Sequence, residues 1–216
     1  MLVRERMTYN PITILPDMSV THALRLMRER KVHHLPVLDG HGKLVGIVSD
    51  KDLLHASPSP VTSLSVWEMT ELLYMLKVEK VLTQKVITVP EDMPLEEAAR
   101  IMADSGIGGL PVMRGNSLVG IITKADLFKA FLELLGGRRP GVRVTVSAAG
   151  TKGTLAKITN SIFGVGGDIV GLGLSEVSDT RGTNWEITFK VQDVRQDKLV
   201  EGIRPVVHEI TDVREM

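Results

Sequence analysis

The phrase GIVSDKDL at 46–53 returns as GIITKADL at 120–127, with Gly, Ile, Asp and Leu held in place. A repeat of this kind constrains the fold first, because each copy must build the same small unit. Sliding the chain by about 75 residues extends the match: Ile12-Thr13-Ile14 falls on Ile87-Thr88-Val89, Asp17-Met18 on Asp92-Met93, and Leu35-Pro36-Val37 on Leu110-Pro111-Val112. Ala23, Arg25 and Met27 fall on Ala98, Arg100 and Met102. The register slips by one residue in a turn, Asp39–Lys43 against Arg114–Ser117, so that Gly46 faces Gly120. Each copy reads as a strand (Ile12–Ile14), a turn, and a helix from about Ser19 to Arg30 with Val20, Ala23, Leu24 and Met27 at helical spacing. A strand at Leu35–Leu38, a Gly-rich hairpin, a strand at Leu44–Val48 and a helix from Asp50 follow. Two such units side by side predict a pseudo-twofold object with a ligand cleft between related halves.

Composition narrows the function classes. Lys+Arg and Asp+Glu both count 26, so the net charge is zero, and aromatic residues are only 4%. That balance argues against a nucleic-acid partner, which needs a basic footprint or stacking platforms. Cysteine is absent, which excludes disulfides, thiolate catalysis and Cys-based zinc sites and points to a reducing cytosol. MLVRERMTYN has no apolar core of signal-peptide length, and no apolar run approaches the roughly 20 residues of a membrane span, so a cytoplasmic location without membrane insertion is expected.

Residues 54–80 separate the copies. SPSPVTSLSV reads as a loop, and WEMTELLYMLKVEKVL, with Met69, Leu72, Leu73, Leu76 and Val81 near helical spacing, as a connecting helix in which Trp67 and Tyr74 pack. LLGGRRPG at 134–141 then ends a helix. The remaining segment orders strand (VRVTVS), helix (Gly153–Gly164, with Leu155, Ile158, Ile162 and Phe163 on one face), two strands (Ile169–Val177 and Asn184–Val191), a short helix (Arg195–Ile203) and a last strand (Val206–Val213). That is a ferredoxin-like βαββαβ arrangement, one sheet with two helices on one face, giving an α/β (α+β) fold class overall. The expected division is 1–58 for the first repeat, 59–80 for the connection, 81–136 for the second repeat and 141–216 for the last domain.

The doubled phrase supports two readings. Ser49-Asp50-Lys51-Asp52 and Thr123-Lys124-Ala125-Asp126 have the form Ser/Thr-x-x-acid, which resembles a capping box closing a helix start, with Asp in place of the usual Glu. The same carboxylates can instead accept hydrogen bonds from vicinal ribose hydroxyls, with the hydroxyl residues on phosphate or sugar and neighbouring Gly and Pro leaving room for a flat base.

Gly-hydrophobic-hydrophobic-Ser/Thr-x-x-Asp, preceded by Leu-Pro-Val and an Ile-Thr-Ile/Val strand, resembles the CBS domain pattern, and two in tandem over roughly residues 1–135 resemble a Bateman module. The resemblance implies a regulatory, non-enzymatic protein that binds AMP, ADP, ATP or S-adenosylmethionine as a regulatory ligand, with no catalytic cofactor. By that resemblance Asp52 and Asp126 take ribose hydroxyls, Ser49 and Thr123 contact ribose or phosphate, and Thr13 and Thr88 lie beside base or phosphate. Pro36, Pro111, His34 and Lys124 complete the candidate binding set. Lys51 follows Asp50 in one copy and Lys124 follows Thr123 in the other, while His33-His34 is replaced by Gly108-Gly109, so unequal pockets are expected. His33 and His34 point to opposite faces of a strand and cannot grip one metal ion.

Residues 141–216 resemble an ACT domain, best from Val142 to Ile158, although Gly150 stands where the family commonly has Asp and Lys152 where Pro is frequent. The resemblance implies dimerisation or amino-acid sensing, with Thr151 and Asn184 as candidate contacts, and a homodimer. A CBS pair followed by an ACT domain is similar to regulatory proteins of the acetoin-utilisation AcuB type. Two other function classes remain open: a protein-binding scaffold with degenerate pockets, and weak nucleotide hydrolysis. The latter lacks a Gly-x-Ser-x-Gly elbow or a Walker-type loop.

Overall fold

In the computed structural model, which describes residues 1–56, 75–179 and 182–216, helix α1 (Val20–Arg30) begins where the Ser19 hydroxyl accepts from the His22 N–H at 3.3 Å. It stops at Lys31, whose left-handed backbone (φ 54°) closes the C-terminus. Val20, Ala23 and Met27 on its inner face join Leu35, Val37 and Val48 from an antiparallel hairpin, β2 (His34–Leu38) and β3 (Leu44–Ser49), in one core. Leu53 of a short helix, α2 (Asp50–His55), closes that core. Each fully buried side chain of this size contributes about 1.5–3 kcal/mol.

The second repeat has the same plan: β4 (Val89–Pro90), α3 (Leu95–Asp104), β5 (Gly109–Arg114), β6 (Ser117–Thr123) and α4 (Lys124–Leu134). Both hairpins shift register at the same place, between Val37 and Leu38 and between Val112 and Met113. The strand expected at Ile12–Ile14 shrinks to one parallel bridge, Ile14 to Val37, whose counterpart is the two-residue β4 alongside Val112 and Met113. The leucine–proline–valine triplets are strand interiors, and Pro36 and Pro111 are buried there.

The repeats are not self-contained. Strand β1 (Thr8–Tyr9), at the head of the first repeat, pairs antiparallel with β6 of the second, Thr8 opposite Ile121 and Tyr9 opposite Gly120. Reciprocally, Thr83, at the head of the second repeat, bridges Ile47 of β3. The exchange extends upstream: Val3 N–H donates to Met93 O at 2.9 Å, and Val78 N–H to Met18 O at 2.9 Å. Val78 therefore sits in the core of the first repeat, fully buried. Each leading segment therefore packs on the opposite repeat. Most of the expected connecting helix, with Trp67 and Tyr74, lies outside the described residues. Its downstream end is a 3-10 turn, Val78–Lys80, rather than a continuing helix.

The chain divides by contacts into Met1–Leu127 and Phe128–Met216. The second unit runs β7 (Val142–Ala149), α5 (Thr154–Gly164), β8 (Asp168–Asp179), β9 (Gly182–Gln192), α6 (Gln196–Ile203) and β10 (Glu209–Glu215), and its four strands form one antiparallel sheet ordered β10-β7-β9-β8. That order is the ferredoxin-like βαββαβ topology read from the sequence. Val144, Val146, Ile187 and Phe189 meet Ile158, Ile162, Leu199 and Ile203 in its core. Phe163, expected on the buried face of α5, is instead 80% exposed, because it lies off the Ile158–Ile162 stripe. The opposite face of the sheet is polar: Asp212 accepts from Arg143 at 2.6 Å and from Arg214 at 2.8 Å.

Candidate functional site

The Ser49 and Asp52 side chains are fixed by a reciprocal cap at the start of α2. Asp52 Oδ2 accepts from the Ser49 N–H and hydroxyl, each at 2.8 Å, and the Asp52 N–H donates back to Ser49 Oγ at 3.3 Å. The second copy repeats it: Thr123 donates to Asp126 Oδ2 from N–H at 3.1 Å and from Oγ1 at 2.7 Å. Asp succeeds here despite its short side chain because the Ser/Thr hydroxyl donates as well as accepts. Capping and ligand binding are thus not alternatives for one carboxylate. Among the described residues Asp52 Oδ1 makes no hydrogen bond, and Asp52 lines a cavity.

That cavity has a volume of about 440 Å³, within the range of small-molecule sites. The first repeat supplies His34, Ile47, Ser49, Asp50, Lys51 and Asp52 to its wall. The exchanged segment of the second repeat supplies Thr83, Lys85, Val86 and Ile87, and the turn after α3 supplies Gly106–Gly109. Lys124, at the start of α4, closes the set. Gly108 and Gly109 accommodate the His34 side chain: a Cβ built on Gly108 would lie 3.0 Å from its ring, and one on Gly109 3.2 Å from it. His34 and Gly109 are equivalent positions of the repeat, so a large and a small residue meet where two large ones would collide.

Burial lowers the His34 pKa, an effect that His33 and Lys124 reinforce and Asp50 and Asp52 oppose. His33 turns the other way and meets Asp50 Oδ2 through Nδ1 at 2.8 Å. Burial works to raise the Asp50 carboxyl, but the hydrogen bond with His33, with that from the Lys51 N–H, holds it below the usual carboxylate range. Among the described residues no cluster of three or more His, Asp or Glu is arranged to hold a metal ion.

Of the expected binding residues, His34, Ser49, Asp52 and Lys124 come together in this cavity. Thr13, Pro36, Thr88, Pro111, Thr123 and Asp126 are not among its lining residues. Thr13 is exposed, and Thr88 lines a separate depression with the hairpin residues His41, Lys43, Asn116 and Ser117. Ile87 was read only as a strand residue, and Thr83, Lys85 and Val86 escaped notice as lining residues because the repeat comparison begins at Ile87 and carries no sign of which repeat the preceding residues touch.

Two copies of one α/β unit, reciprocally exchanged and enclosing a cavity, define a tandem-repeat module. The chain belongs to the CBS domain family, whose model matches residues 3–59 and 78–133. Among solved structures, a CBS domain pair in complex with 5-methylthioadenosine and S-adenosyl-L-methionine is 30% identical, with a TM-score of 0.52 over 64% of this chain and 98% of that one. CBSX2 in complex with AMP is 33% identical, with a TM-score of 0.52 over 61% of this chain and 96% of the other. A protein of Vibrio cholerae assigned to acetoin utilization (AcuB) is 33% identical, with a TM-score of 0.53 over 64% and 95% of the two chains.

Proposed function

We propose that this protein is a regulatory sensor whose CBS pair binds an adenosine-containing ligand, AMP, ADP, ATP or S-adenosylmethionine, in the cavity around Asp52. The observation that carries the reading is the composite wall: the Ser49–Asp52 cap of one repeat faces the exchanged segment of the other across a cavity of nucleoside size. It is supported by family members that hold adenosine compounds. Asp52 Oδ1 accepts a ribose hydroxyl while Oδ2 keeps the cap, and Lys85 and Lys124 meet phosphate. Asp126 and Thr123 act in the same way in the second repeat, with Thr13 and Thr88 near the ligands. Because the wall comes from both repeats, ligand binding biases their arrangement, with a coupling of about 1–3 kcal/mol.

The βαββαβ unit serves as an ACT-type domain that pairs two copies or senses an amino acid, with Thr151 and Asn184 as its contacts. Its edge strands β8 and β10 offer the free hydrogen-bonding groups that such pairing uses. Among the described residues no helix is long and apolar enough to cross a membrane.

Thermal unfolding with AMP, ADP, ATP and S-adenosylmethionine tests the sensor reading. At ligand a hundredfold above its dissociation constant the stabilisation is about 2.7 kcal/mol. No shift with any of the four overturns the reading.

A further inference from the structure

The repeat gives the Asp52 cavity an equivalent position around Asp126, and the two positions carry different charges. The equivalence is detailed. Asp50 N–H donates to His33 O at 3.1 Å, and Lys124 N–H to Gly108 O at 3.0 Å. Lys31 and Gly106 both take the left-handed conformation, φ 54° and 68°. Thr83 bridges Ile47 as Thr8 pairs with Ile121. Each residue lining the Asp52 cavity can therefore be matched with its counterpart in the repeat, although Asn10 takes a left-handed backbone (φ 46°) that its counterpart Lys85 does not.

Three ammonium groups line the Asp52 cavity: Lys51, Lys85 and Lys124. Two carboxylates accompany them, and each is already engaged, Asp50 by His33 at 2.8 Å and Asp52 by Ser49 at 2.8 Å. At the matching positions around Asp126 stand Ala125 for Lys51, Asn10 for Lys85 and Asp50 for Lys124. Lys31 for Gly106 and Lys124 for Asp50 are the cations gained there. The first site thus carries an excess of one positive charge, and the second is balanced by Asp50 and Asp126. A phosphate favours the first, since charge-assisted hydrogen bonds from ammonium groups are the stronger kind. A neutral nucleoside or a sulfonium gains nothing from those ammonium groups.

Building on the adenosine-binding reading above, we propose that the two positions sort adenosine compounds by charge. The Asp52 cavity takes the phosphorylated nucleotide, and the Asp126 position takes an adenosine compound that carries no phosphate. Lys85, from the exchanged segment, is a specificity residue.

Calorimetric titration of the full chain with AMP, adenosine and 5-methylthioadenosine tests this. AMP is expected to saturate at one molecule per chain, and methylthioadenosine to bind alongside it. Lys85→Ala is expected to weaken AMP at least about tenfold more than adenosine, the size of one charged hydrogen bond. Ala125→Lys, an exposed change, is expected to admit a second AMP. AMP filling two equal sites, AMP displacing all methylthioadenosine, or Lys85→Ala weakening AMP and adenosine alike overturns the sorting while leaving the adenosine reading intact. Failure of all three compounds to bind overturns both.

Discussion

The glycine of the doubled phrase has a packing reason. In Gly46 the missing side chain faces Leu82, where an added Cβ would lie 2.5 Å from Leu82 Cδ1, and in Gly120 it faces Met7 and the Thr8 carbonyl, the latter at 3.1 Å. Leu82 and Met7 are equivalent residues of the exchanged segments, so the same glycine receives the same visitor in both repeats. Gly120→Ala is expected to cost about 1–3 kcal/mol in chemical denaturation. Gly40→Ala, with open space at its Cβ, is expected to stay within about 0.5 kcal/mol. His34 belongs to the same scale. Its folded pKa lies below the free value of about 6.5, so the unfolded chain binds more protons as pH falls past that value. Its neutral form leaves stability at full strength above that value, and stability declines as pH drops through the lowered pKa. His34→Gln is expected to flatten the stability difference between about pH 7 and about pH 5 in denaturant titrations.

At the scale of elements, the leading segments are structural parts of the opposite repeat. Val3 and Val78 are both fully buried, and each makes the same backbone hydrogen bond to a methionine carbonyl, Met93 or Met18. Val3→Ala and Val78→Ala are each expected to lower stability by about 2 kcal/mol, two lost methyl groups plus the cavity they leave. The two repeats are expected to unfold together, since loosening either segment exposes the hairpin edge of the other repeat. Most helices and hairpins were legible in the sequence for a local reason: caps such as Ser19–His22, apolar spacing such as Val20–Ala23–Met27 and the glycine turns all act within a few residues. The expected strand at Ile12–Ile14 was less so, because the Ile-Thr-Ile alternation of a strand is realised there as one bridge at Ile14. Phe163 likewise continued an apolar pattern that the second unit leaves exposed.

At the scale of the whole molecule, the proposed ligand site exists only because the repeats exchange segments. Asp52→Ala removes both a cap and the proposed ribose acceptor. It is expected to cost about 1 kcal/mol without ligand, and also to abolish the stabilisation by AMP in thermal unfolding. Loss of the cap alone, with AMP stabilisation retained, would separate the two roles against the sensor. Taken by itself, the sequence determined the duplication, the secondary structure of each copy, the capping carboxylates and the βαββαβ order of the last segment. These follow from short-range periodicity and from residues three or four positions apart. Only the tertiary structure decided which repeat receives each leading segment, and therefore that Thr83, Lys85 and Lys124 share a wall with Asp52. A hairpin edge offers the same backbone hydrogen bonds to a segment from its own repeat or from its twin, so no local pattern distinguishes them. Packing of Leu82 on Gly46 and of Val78 in the opposite core makes that choice.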